Sequence, residues 1–270
     1  MRKETLLIIP AYNEEMNIEN TLDALLKTPI HKELDILVIN DKSTDATLSK
    51  LRKYEPEVRV IDQVFNMGYG AALQTGYKYA ADNGYSYLLQ MDADGQHDPR
   101  CLERVLKRLK GETGPSGLAP KKKACVKEDK LPDIVIGSRF LEGAETFRIS
   151  TLKKMAIGFF VAAIRGLTGY RLTDPTSGLQ GLNRNAFCYY AGYSNFDIRY
   201  PDLNMIIQML LLGFHVEEVP AIMHERIAGV SMHAGLYNSM KYMGVMVVST
   251  FNAYTRNYKV FAHRKEISRQ

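Results

Sequence analysis

The segment QMDADGQHDP, residues 90–99, places three carboxylates and a histidine directly after an apolar run. Asp92 and Asp94 are two residues apart, so their side chains point to the same side if the strand extends this far. Two carboxylates at such short distance raise each other's pKa unless a cation lies between them. The spacing is therefore compatible with three interpretations: a turn, a metal site, or a pair of acid and base.

Short apolar runs alternate with helical patterns through the first half of the chain. The apolar runs predict five strands, at residues 5–10, 34–40, 58–62, 85–91 and 133–138. The segments between them predict helices, the first starting at Ile18 and the others at 45–54, 69–83 and 99–110. Five such units in succession predict an α/β fold, with a mostly parallel sheet flanked by helices on both faces.

Polar residues follow the first, second and fourth predicted strands, namely Asn13 and Glu14, Asn40 and Asp41, and Asp92 and Asp94. In a parallel sheet the ligand binds beyond the carboxyl ends of the strands, so these side chains are expected to share one site. A turn alone does not explain two co-facing carboxylates beside other acids, and in an acid and base pair one carboxylate would be neutralised. Oxygen ligands suit a hard divalent cation, so the sequence favours a metal site, to which Gln96 could add an amide oxygen or His97 a nitrogen.

Composition narrows the class of protein. The chain has 270 residues, an apolar content of 46% and a formal net charge of +5, which is ordinary for a globular protein and does not indicate nucleic acid. Basic residues gather at 121–127 and 256–269. The three cysteines form neither a disulfide framework nor a zinc pattern, which predicts a reducing, intracellular setting.

Two apolar stretches approach the uninterrupted apolar length of a membrane-spanning helix but do not reach it. They are residues 155–170, interrupted by Arg165, and residues 242–254, flanked by Lys241 and Arg256. Each is interpreted either as a buried helix or as an interfacial helix with cationic edges on an anionic membrane.

Two other segments complete the coarse prediction. Residues 111–132 are rich in Gly, Pro and Lys and predict a long surface loop. Residues 202–212 predict a helix that ends at Gly213 and is followed by a short strand.

Six segments occur in an order that resembles a known family. They are IIPAYNEE, VINDKSTDAT, NMGYGAALQTGY, MDADGQHDP, IGSRF and DPTSGLQGLNR. The series looks like the motif order of family 2 glycosyltransferases with the GT-A fold, and it is most similar to the branch that glycosylates dolichol or undecaprenyl phosphate. The resemblance extends from residue 5 to about residue 235.

The resemblance implies a GT-A (Rossmann-like) fold and an inverting transfer of a hexose from a nucleotide diphosphate sugar. It implies that the nucleotide sugar contacts Pro10, Tyr12, Glu14, Asp41, Asn66, Gly68, Asp92, Ala93 and Arg226. It also implies that Asp92, Asp94 and Gln96 hold Mg²⁺ or Mn²⁺ against the diphosphate, with Asp94 as a catalytic residue. By themselves, Gly68 and Gly70 are equally typical of a simple tight turn.

Two positions concern the acceptor. Arg139 follows the fifth predicted strand and is interpreted as a catalytic clamp on the diphosphate or the acceptor phosphate, with a surface ion pair as the alternative. In the family, the loop at 173–184 approaches the acceptor phosphate, which implies a role there for Ser177. Thr173 departs from this pattern, because some relatives carry arginine at its position.

Later residues bear on the base and on the donor. Asp202 is interpreted either as a catalytic general base or as a negative charge at a helix N-terminus. Arg226 matches the family's basic loop, but Met232 stands where dolichol-phosphate enzymes place lysine. This departure moves the prediction away from GDP-mannose and towards a UDP-linked glucose or N-acetylhexosamine.

The sequence therefore predicts a metal-dependent glycosyltransferase of cell wall polysaccharide biosynthesis, peripheral to the cytoplasmic face of the cell membrane. Its expected acceptor is undecaprenyl phosphate or a lipid-linked saccharide. Residues 1–235 are expected to form the catalytic domain, with 111–132 as an inserted loop. Residues 236–270 are expected to form an amphipathic, basic segment whose interfacial helices meet the membrane.

Two alternatives to this function stay open. One is a polysaccharide transferase with a hydroxyl acceptor and Asp202 as base. The other is a non-catalytic subunit that binds a sugar nucleotide within a membrane complex. A membrane-protein partner and a homo-oligomer are both compatible with the sequence, whereas no nucleic-acid partner is expected.

Overall fold

The computed structural model describes residues 3–113, 130–147, 151–225 and 236–267. Within these residues the strands are β1 Thr5–Ala11, β2 Leu34–Asn40, β3 Val58–Asp62, β4 Tyr87–Gln90, β5 Ile134–Ser138, β6 Gln180–Asn183 and β7 Val216–Pro220. The helices are α1 Ile18–Leu26, α2 Thr47–Leu51, α3 Tyr69–Asp82, α4 Arg100–Lys110, α5 Thr151–Thr168, α6 Arg184–Ala191, α7 Leu203–Leu212 and α8 Leu236–Ile267. Short 3₁₀ helices occupy Pro29–Glu33 and Arg52–Tyr54.

The strands form one mostly parallel sheet, which confirms the predicted α/β fold. Their order is β3-β2-β1-β4-β6-β5-β7. Strand β6 runs antiparallel to both of its neighbours, β4 and β5, while the other paired strands are parallel. This reversed strand was not predicted, because four residues that include Gly181 carry almost no periodic signal.

Helices cover both faces of the sheet and create two cores. On β1, Leu6 and Ile8 pack with α3, α6 and α7, whereas Leu7 and Ile9 pack with α1 and α4. All four side chains are fully buried, and burial of each contributes about 1.5–3 kcal/mol to folding. Because alternate side chains point to opposite faces, a strand covered on both faces is a continuous apolar run, which made β1 recognisable in the sequence.

The helix predicted at 202–212 is confirmed as α7. It ends at Gly213, whose φ of +87° is a left-handed conformation that glycine adopts without strain. The chain then continues into β7, the short strand that the sequence predicted.

Helices α5 and α8 both pack on α7. Helix α8 buries the face formed by Met246, Thr250, Ala253 and Asn257, whose spacing of three or four residues is that of one side of a helix. Large apolar side chains on α5 and α8 are exposed, namely Met155, Phe159, Val247, Val248, Phe251, Tyr258 and Val260. Each apolar stretch is therefore a helix with one buried face and one exposed apolar face, and the contact of the exposed face with a membrane stays a prediction.

Across the part of the chain that the structure describes, every helix is too short or too polar to traverse a lipid bilayer. The basic cluster at 121–127 lies outside the described residues, as does most of the loop predicted at 111–132. The same holds for the last part of the basic stretch at 256–269.

Candidate active site

Parallel pairing brings the polar strand ends together at the carboxyl edge of the sheet. Ala11, the last residue of β1, pairs with Asn40, the last residue of β2, and the N–H of Asp41 donates to the carbonyl of Ala11 at 2.9 Å. On the other side of β1, the N–H of Met91 donates to the carbonyl of Ile8 at 3.2 Å. The acids that follow these strands therefore share one edge, as the sequence predicted.

The loops that follow β1 and β2 are joined by side-chain hydrogen bonds. Asn13, in a left-handed conformation with φ of +53°, accepts from the N–H of Thr44 at 2.8 Å, and its own N–H donates to Ser43 Oγ at 3.0 Å. The carboxylate of Glu14 accepts from Asn17 Nδ2 at 2.7 Å. The predicted nucleotide contact of Glu14 stays a prediction, and the structure shows that its loop is fixed.

Asp41 holds the turn that follows β3. Its side chain is only 2% exposed, and its two oxygens accept from the N–H groups of Met67 and Gly68, each at 2.8 Å. The Asn66 side chain donates to the carbonyl of Asp41 at 3.1 Å. Asp41 therefore binds the protein's own turn through both carboxylate oxygens, and its predicted contact with the nucleotide stays a prediction.

The two glycines of this turn have different roles. Gly68 has a φ of +91°, and nothing lies close to the position of an added Cβ. Gly70 is in α3, and a Cβ there would collide with the backbone carbonyl of Ile198. The conformation of the turn therefore requires Gly68, whereas helix packing requires Gly70.

Asp92 contacts three other parts of the site. Tyr69 Oη donates to Asp92 Oδ1 at 3.0 Å, and His97 Nε2 lies 3.4 Å from Asp92 Oδ2. A Cβ added to Gly178 would collide with this carboxylate, so the loop before β6 approaches Asp92 closely. Burial and then the charge of Asp92 raise the pKa of Tyr69 well above its ordinary value, so its hydroxyl remains a donor.

The turn that carries Asp94 is tied to the segment that follows β7. Asp94 is buried and accepts from the N–H of Gln96 at 3.0 Å, while the carbonyl of Gln96 accepts from the N–H of His224 at 2.7 Å. His224 Nε2 also lies 3.1 Å from Asp98 Oδ2. Burial would raise the pKa of Asp98, but hydrogen bonds from Arg100 and His224 outweigh it and lower the pKa to about 2. An ionised Asp98 thus anchors this turn at neutral pH.

The donor set at the end of β4 fits a hard divalent cation that shares its ligands with a substrate. Among the described residues, no group of three or more His, Cys, Asp or Glu side chains is placed to hold a metal ion. Asp92 and Asp94 supply two carboxylates, and Mg²⁺ is commonly held by one or two carboxylates together with substrate phosphates. The residues therefore fit Mg²⁺ or Mn²⁺ completed by phosphate oxygens, but they do not form an all-protein cage, and the contribution of Gln96 stays a prediction.

Arg139 is paired inside the protein. Its Nε and Nη2 donate to the two oxygens of Asp174, each at 2.6 Å, and Nη2 also donates to Thr176 Oγ1 at 2.9 Å. Arg139 is 7% exposed, so its ion pair with Asp174 is buried. The alternative of an ion pair at the surface is therefore wrong. Burial lowers the pKa of Arg139, but Asp174 raises it overall, with Asp202 and Asp92 adding to the increase. The clamp on a phosphate stays a prediction.

Glu218 of β7 completes this buried network. Its oxygens accept from the N–H groups of Thr173 and Asp174, each at 2.7 Å, and from Thr173 Oγ1 at 3.0 Å. Burial is the largest influence and, despite these hydrogen bonds, raises the pKa of Glu218 to about 7. The hydroxyl of Thr173 also lies 2.6 Å from Ser138 Oγ. Thr173 thus joins β5 to β7.

Ser177 and Asp202 are two further residues that the sequence predicted for this site. Ser177 is buried, and its hydroxyl accepts from the N–H of Leu179 at 3.3 Å. Asp202 occupies the N-cap position of α7, but its side chain makes no capping hydrogen bond to that helix. Its charge contributes to the raised pKa of both Arg139 and Tyr69, which places Asp202 near the acids of the site. Its role as a base stays a prediction.

The remaining predicted contacts differ in accessibility. Pro10 and Ala93 are buried at the ends of their strands, whereas Tyr12 is 47% exposed and Asn66 is also exposed. Arg226 and Met232 lie outside the described residues. Tyr12 and Asn66 are therefore accessible to a ligand at this edge.

Two contributors to the site were not identified from the sequence. Tyr69 follows Gly68 directly, and Glu218 lies in a strand pattern, so neither position stood out by composition. Their partners, Asp92 and Asp174, are distant in the sequence. Only the folded chain shows these contacts.

Comparison with known proteins agrees with this geometry. A family model described as Glycosyl transferase family 2 matches residues 6–188. Undecaprenyl-phosphate mannosyltransferase of Micrococcus luteus is 29% identical over 245 residues, which cover 85% of this chain and 87% of that protein.

Solved structures show the same fold. A mannosyltransferase of Pyrobaculum calidifontis in complex with GDP-Man and Mn²⁺ matches with a TM-score of 0.61 and 18% identity, and the match covers 95% of this chain but 65% of that one. Glucosyl-3-phosphoglycerate synthase of Mycobacterium tuberculosis, with Mn²⁺, UDP-Glc and phosphoglyceric acid, matches with a TM-score of 0.64 and 16% identity over 94% of this chain and 80% of that one. These matches confirm the fold.

Proposed function

The chain belongs to glycosyl transferase family 2, and from this premise we propose that it transfers a hexose from a nucleoside diphosphate to a polyprenyl phosphate at a membrane surface. The observation that carries the proposal is the placement of Asp92 and Asp94 at the end of β4, linked through Tyr69 to the turn that Asp41 holds. This arrangement suits a sugar nucleotide whose diphosphate shares a cation with the protein. As a glycosyltransferase, the chain is an enzyme, so the alternative of a non-catalytic subunit is not retained.

The donor site combines a shaped turn with two carboxylates. Asp92, Asp94 and Gln96 would hold Mg²⁺ or Mn²⁺, which when bound offsets the negative charge of the leaving diphosphate. The exposed ring of Tyr12 is available for stacking on the base, and Asp41 fixes the turn that contains Met67.

The donor is assigned as a UDP-sugar. Met232 stands where dolichol-phosphate enzymes carry a lysine, and the absence of this cation argues against GDP-mannose. The solved structures of this fold include one with UDP-Glc and one with GDP-Man, and the Micrococcus luteus relative is named a mannosyltransferase. GDP-mannose is therefore the competing donor that an experiment must include.

The acceptor side is rigid and lies next to the donor site. Arg139 and Asp174 fix the loop before β6, and Gly178 brings this loop against Asp92. A phosphate acceptor is already an anion at neutral pH, so it needs no general base. One of its oxygens forms the new bond to the anomeric carbon while the bond to the diphosphate breaks, which inverts that carbon.

The exposed apolar side chains of α5 and α8 support a peripheral position at the cytoplasmic membrane face. Met155 and Phe159 lie one turn apart on α5, and Phe251 is among several such residues on α8. Apolar residues with neighbouring cations, such as Lys259, suit an anionic lipid surface that also contains the acceptor. Flotation with anionic liposomes tests this point, and protein that stays wholly in the soluble fraction would contradict it.

The activity is tested with the purified chain and liposomes that contain undecaprenyl phosphate. Labelled UDP-glucose, UDP-N-acetylglucosamine and GDP-mannose are compared, each with Mn²⁺, Mg²⁺ or a chelator. We expect a lipid-linked hexose of inverted configuration from a UDP-sugar, only when metal is present. Transfer from GDP-mannose alone would overturn the donor assignment, and transfer that persists in chelator would overturn the metal requirement.

A hydroxyl acceptor is the second candidate, and the position of Asp202 favours it. Asp202 lies near Arg139 and Tyr69, where a base could meet an acceptor. Asp202→Asn is compared with Asp82→Asn, a change at an exposed residue of α3. Near-full activity of Asp202→Asn supports the phosphate acceptor, whereas a loss of about 10²–10⁴-fold supports a hydroxyl acceptor that needs a base.

A further inference from the structure

We propose that Tyr69 is a positioning residue that orients Asp92 for metal binding and couples the metal site to the nucleotide turn. This inference rests on the proposed function, because it assumes that Asp92 contributes to a divalent metal site. Nothing in the motif pattern of the sequence assigns a role to this tyrosine. The contacts of its hydroxyl group carry the argument.

Two buried side chains, Tyr77 and Gln90, and the half-buried Tyr69 form a directed series of hydrogen bonds that ends at Asp92. Tyr77 Oη donates to Gln90 Oε1 at 2.6 Å, and Gln90 Nε2 donates to Tyr69 Oη at 3.3 Å. Tyr69 Oη then donates its own proton to Asp92 Oδ1 at 3.0 Å. Each hydroxyl or amide is used once as a donor, so the direction of the series is consistent from Tyr77 to Asp92.

This series holds one oxygen of the Asp92 carboxylate. Because the donor to Asp92 Oδ1 is a neutral hydroxyl, it fixes the orientation without cancelling the negative charge that a cation requires. The other oxygen faces His97 Nε2 at 3.4 Å and lies against Gly178. Contacts at both oxygens thus fix the orientation of the Asp92 carboxylate, and this orientation sets the direction of its remaining lone pairs.

Tyr69 also connects two parts of the site through the backbone. It is the first residue of α3 and directly follows Gly68, whose N–H donates to Asp41 at 2.8 Å. A displacement of the nucleotide turn therefore moves the group that orients Asp92. Through this link, the order of the turn and the affinity for metal depend on each other.

The test uses Tyr69→Phe in the full chain, which removes the hydroxyl and keeps the ring. The readouts are the dissociation constant for Mn²⁺, measured without and with nucleoside diphosphate by calorimetry or by the spectrum of free Mn²⁺, and the melting temperature without metal. We expect Mn²⁺ binding to weaken by about 10–100-fold, as for other residues that orient metal ligands. The melting temperature is expected to change little, since the ring still packs.

Tyr85→Phe is a matched control. Tyr85 is also buried and donates to a carboxylate, Asp35 Oδ2, at 2.8 Å, but neither residue belongs to the site. This variant is expected to lose a similar hydrogen bond and to bind Mn²⁺ as the wild type does. Tyr77→Phe removes the first bond of the series and is expected to weaken Mn²⁺ binding by a smaller factor than Tyr69→Phe.

The outcomes separate this inference from the proposed function. Wild-type affinity for Mn²⁺ in both Tyr69→Phe and Tyr77→Phe would overturn the positioning role and leave the proposed function intact. Equal weakening in Tyr69→Phe and Tyr85→Phe would also overturn it, because the effect would then be structural. A wild-type chain that binds no Mn²⁺ with or without nucleoside diphosphate would overturn the metal-dependent function itself.

Discussion

The two sides of the sheet edge hold their charged groups in different ways. On the side of β1, β2 and β4, Asp41 accepts from backbone N–H groups, and Asp92 accepts from a tyrosine hydroxyl and lies 3.4 Å from His97 Nε2. On the side of β5 and β7, Arg139, Asp174 and Glu218 lie in one buried network with an internal ion pair. The first side keeps its negative charge for a cation, whereas the second side balances part of its charge internally.

The first arrangement suits ligand binding, whereas the second suits a rigid loop. A hydrogen bond from a neutral group orients a carboxylate without neutralising it. The side of β1, β2 and β4, which is the proposed donor side, therefore remains attractive to a metal ion and a diphosphate. A buried ion pair fixes geometry strongly, but its charges are already used. We therefore expect substitutions on the donor side to affect mainly ligand binding and activity, and substitutions on the acceptor side to affect mainly stability.

The largest effect is expected from Asp94→Ala on the donor side. Loss of one of two carboxylates should lower the rate of transfer by at least about 10³-fold, since a bound metal supplies several kcal/mol of charge stabilisation. The effect on the free energy of unfolding should be smaller, since the hydrogen bond from the N–H of Gln96 is worth about 1–3 kcal/mol. Initial rates and urea unfolding measure both, with Asp82→Ala as the control, and an activity within tenfold of wild type would contradict the comparison.

Arg139→Met tests the acceptor side. It leaves the fully buried Asp174 without its partner, so the free energy of unfolding is expected to fall by about 3–5 kcal/mol. Lys107→Met is the control, because it breaks an exposed ion pair with Glu103 that solvent screens, so the free energy of unfolding should change little. Urea unfolding measures both variants. If Arg139→Met cost no more than Lys107→Met, the network would not hold the acceptor loop.

Asp41→Asn sharpens the donor side. The amide can accept from only one of the two N–H groups of Met67 and Gly68, so the turn should lose about 1–2 kcal/mol of local stability. Nucleotide affinity is then expected to fall by about tenfold, as measured by calorimetry. Faster hydrogen exchange should be confined to the amides of this turn, and unchanged exchange there would contradict the role of Asp41.

Glu218→Gln gives the smallest effect and tests a pH dependence. Glu218 has a pKa of about 7 in the folded chain and 4.5 as its ordinary value, so the folded chain binds its proton more tightly. The resulting stability is fully present below the ordinary pKa and is lost as the pH rises through about 7. The wild-type free energy of unfolding should therefore fall by about 1 kcal/mol between roughly pH 6 and 8. Urea unfolding across this range should show a flatter slope for the variant, and equal slopes would refute the assignment.

Much of the donor side could be predicted from the sequence because its determinants are local. The runs at 5–10, 34–40 and 58–62 match β1 to β3 within one residue, since buried parallel strands are continuous apolar segments. The acids after these strands and after β4 reach the same edge because parallel strands end together. Local patterns therefore predicted both the sheet and the position of the site.

The acceptor side could not be predicted in the same way because its contacts are long-range. Arg139 was predicted to face a phosphate, but its buried partner Asp174 lies 35 residues away. Strand β6 was missed for lack of periodicity, and Glu218 was hidden in a strand pattern. No local spacing encodes which carboxylate meets which guanidinium, so this network required the folded chain.

The reversed direction of β6 has a consequence for engineering. Gln180, its first residue, pairs with Gln90 at the end of β4, so the chain enters β6 at the edge where the parallel strands finish. The segment between β5 and β6 thus leaves the sheet and returns to it at the same edge, so it can be regarded as one exchangeable unit. A chimera that exchanges this segment between homologues would need to keep glycine at position 178 and a carboxylate at position 174. Under those two conditions, the proposed acceptor loop could be exchanged while β1 to β4 are left unchanged.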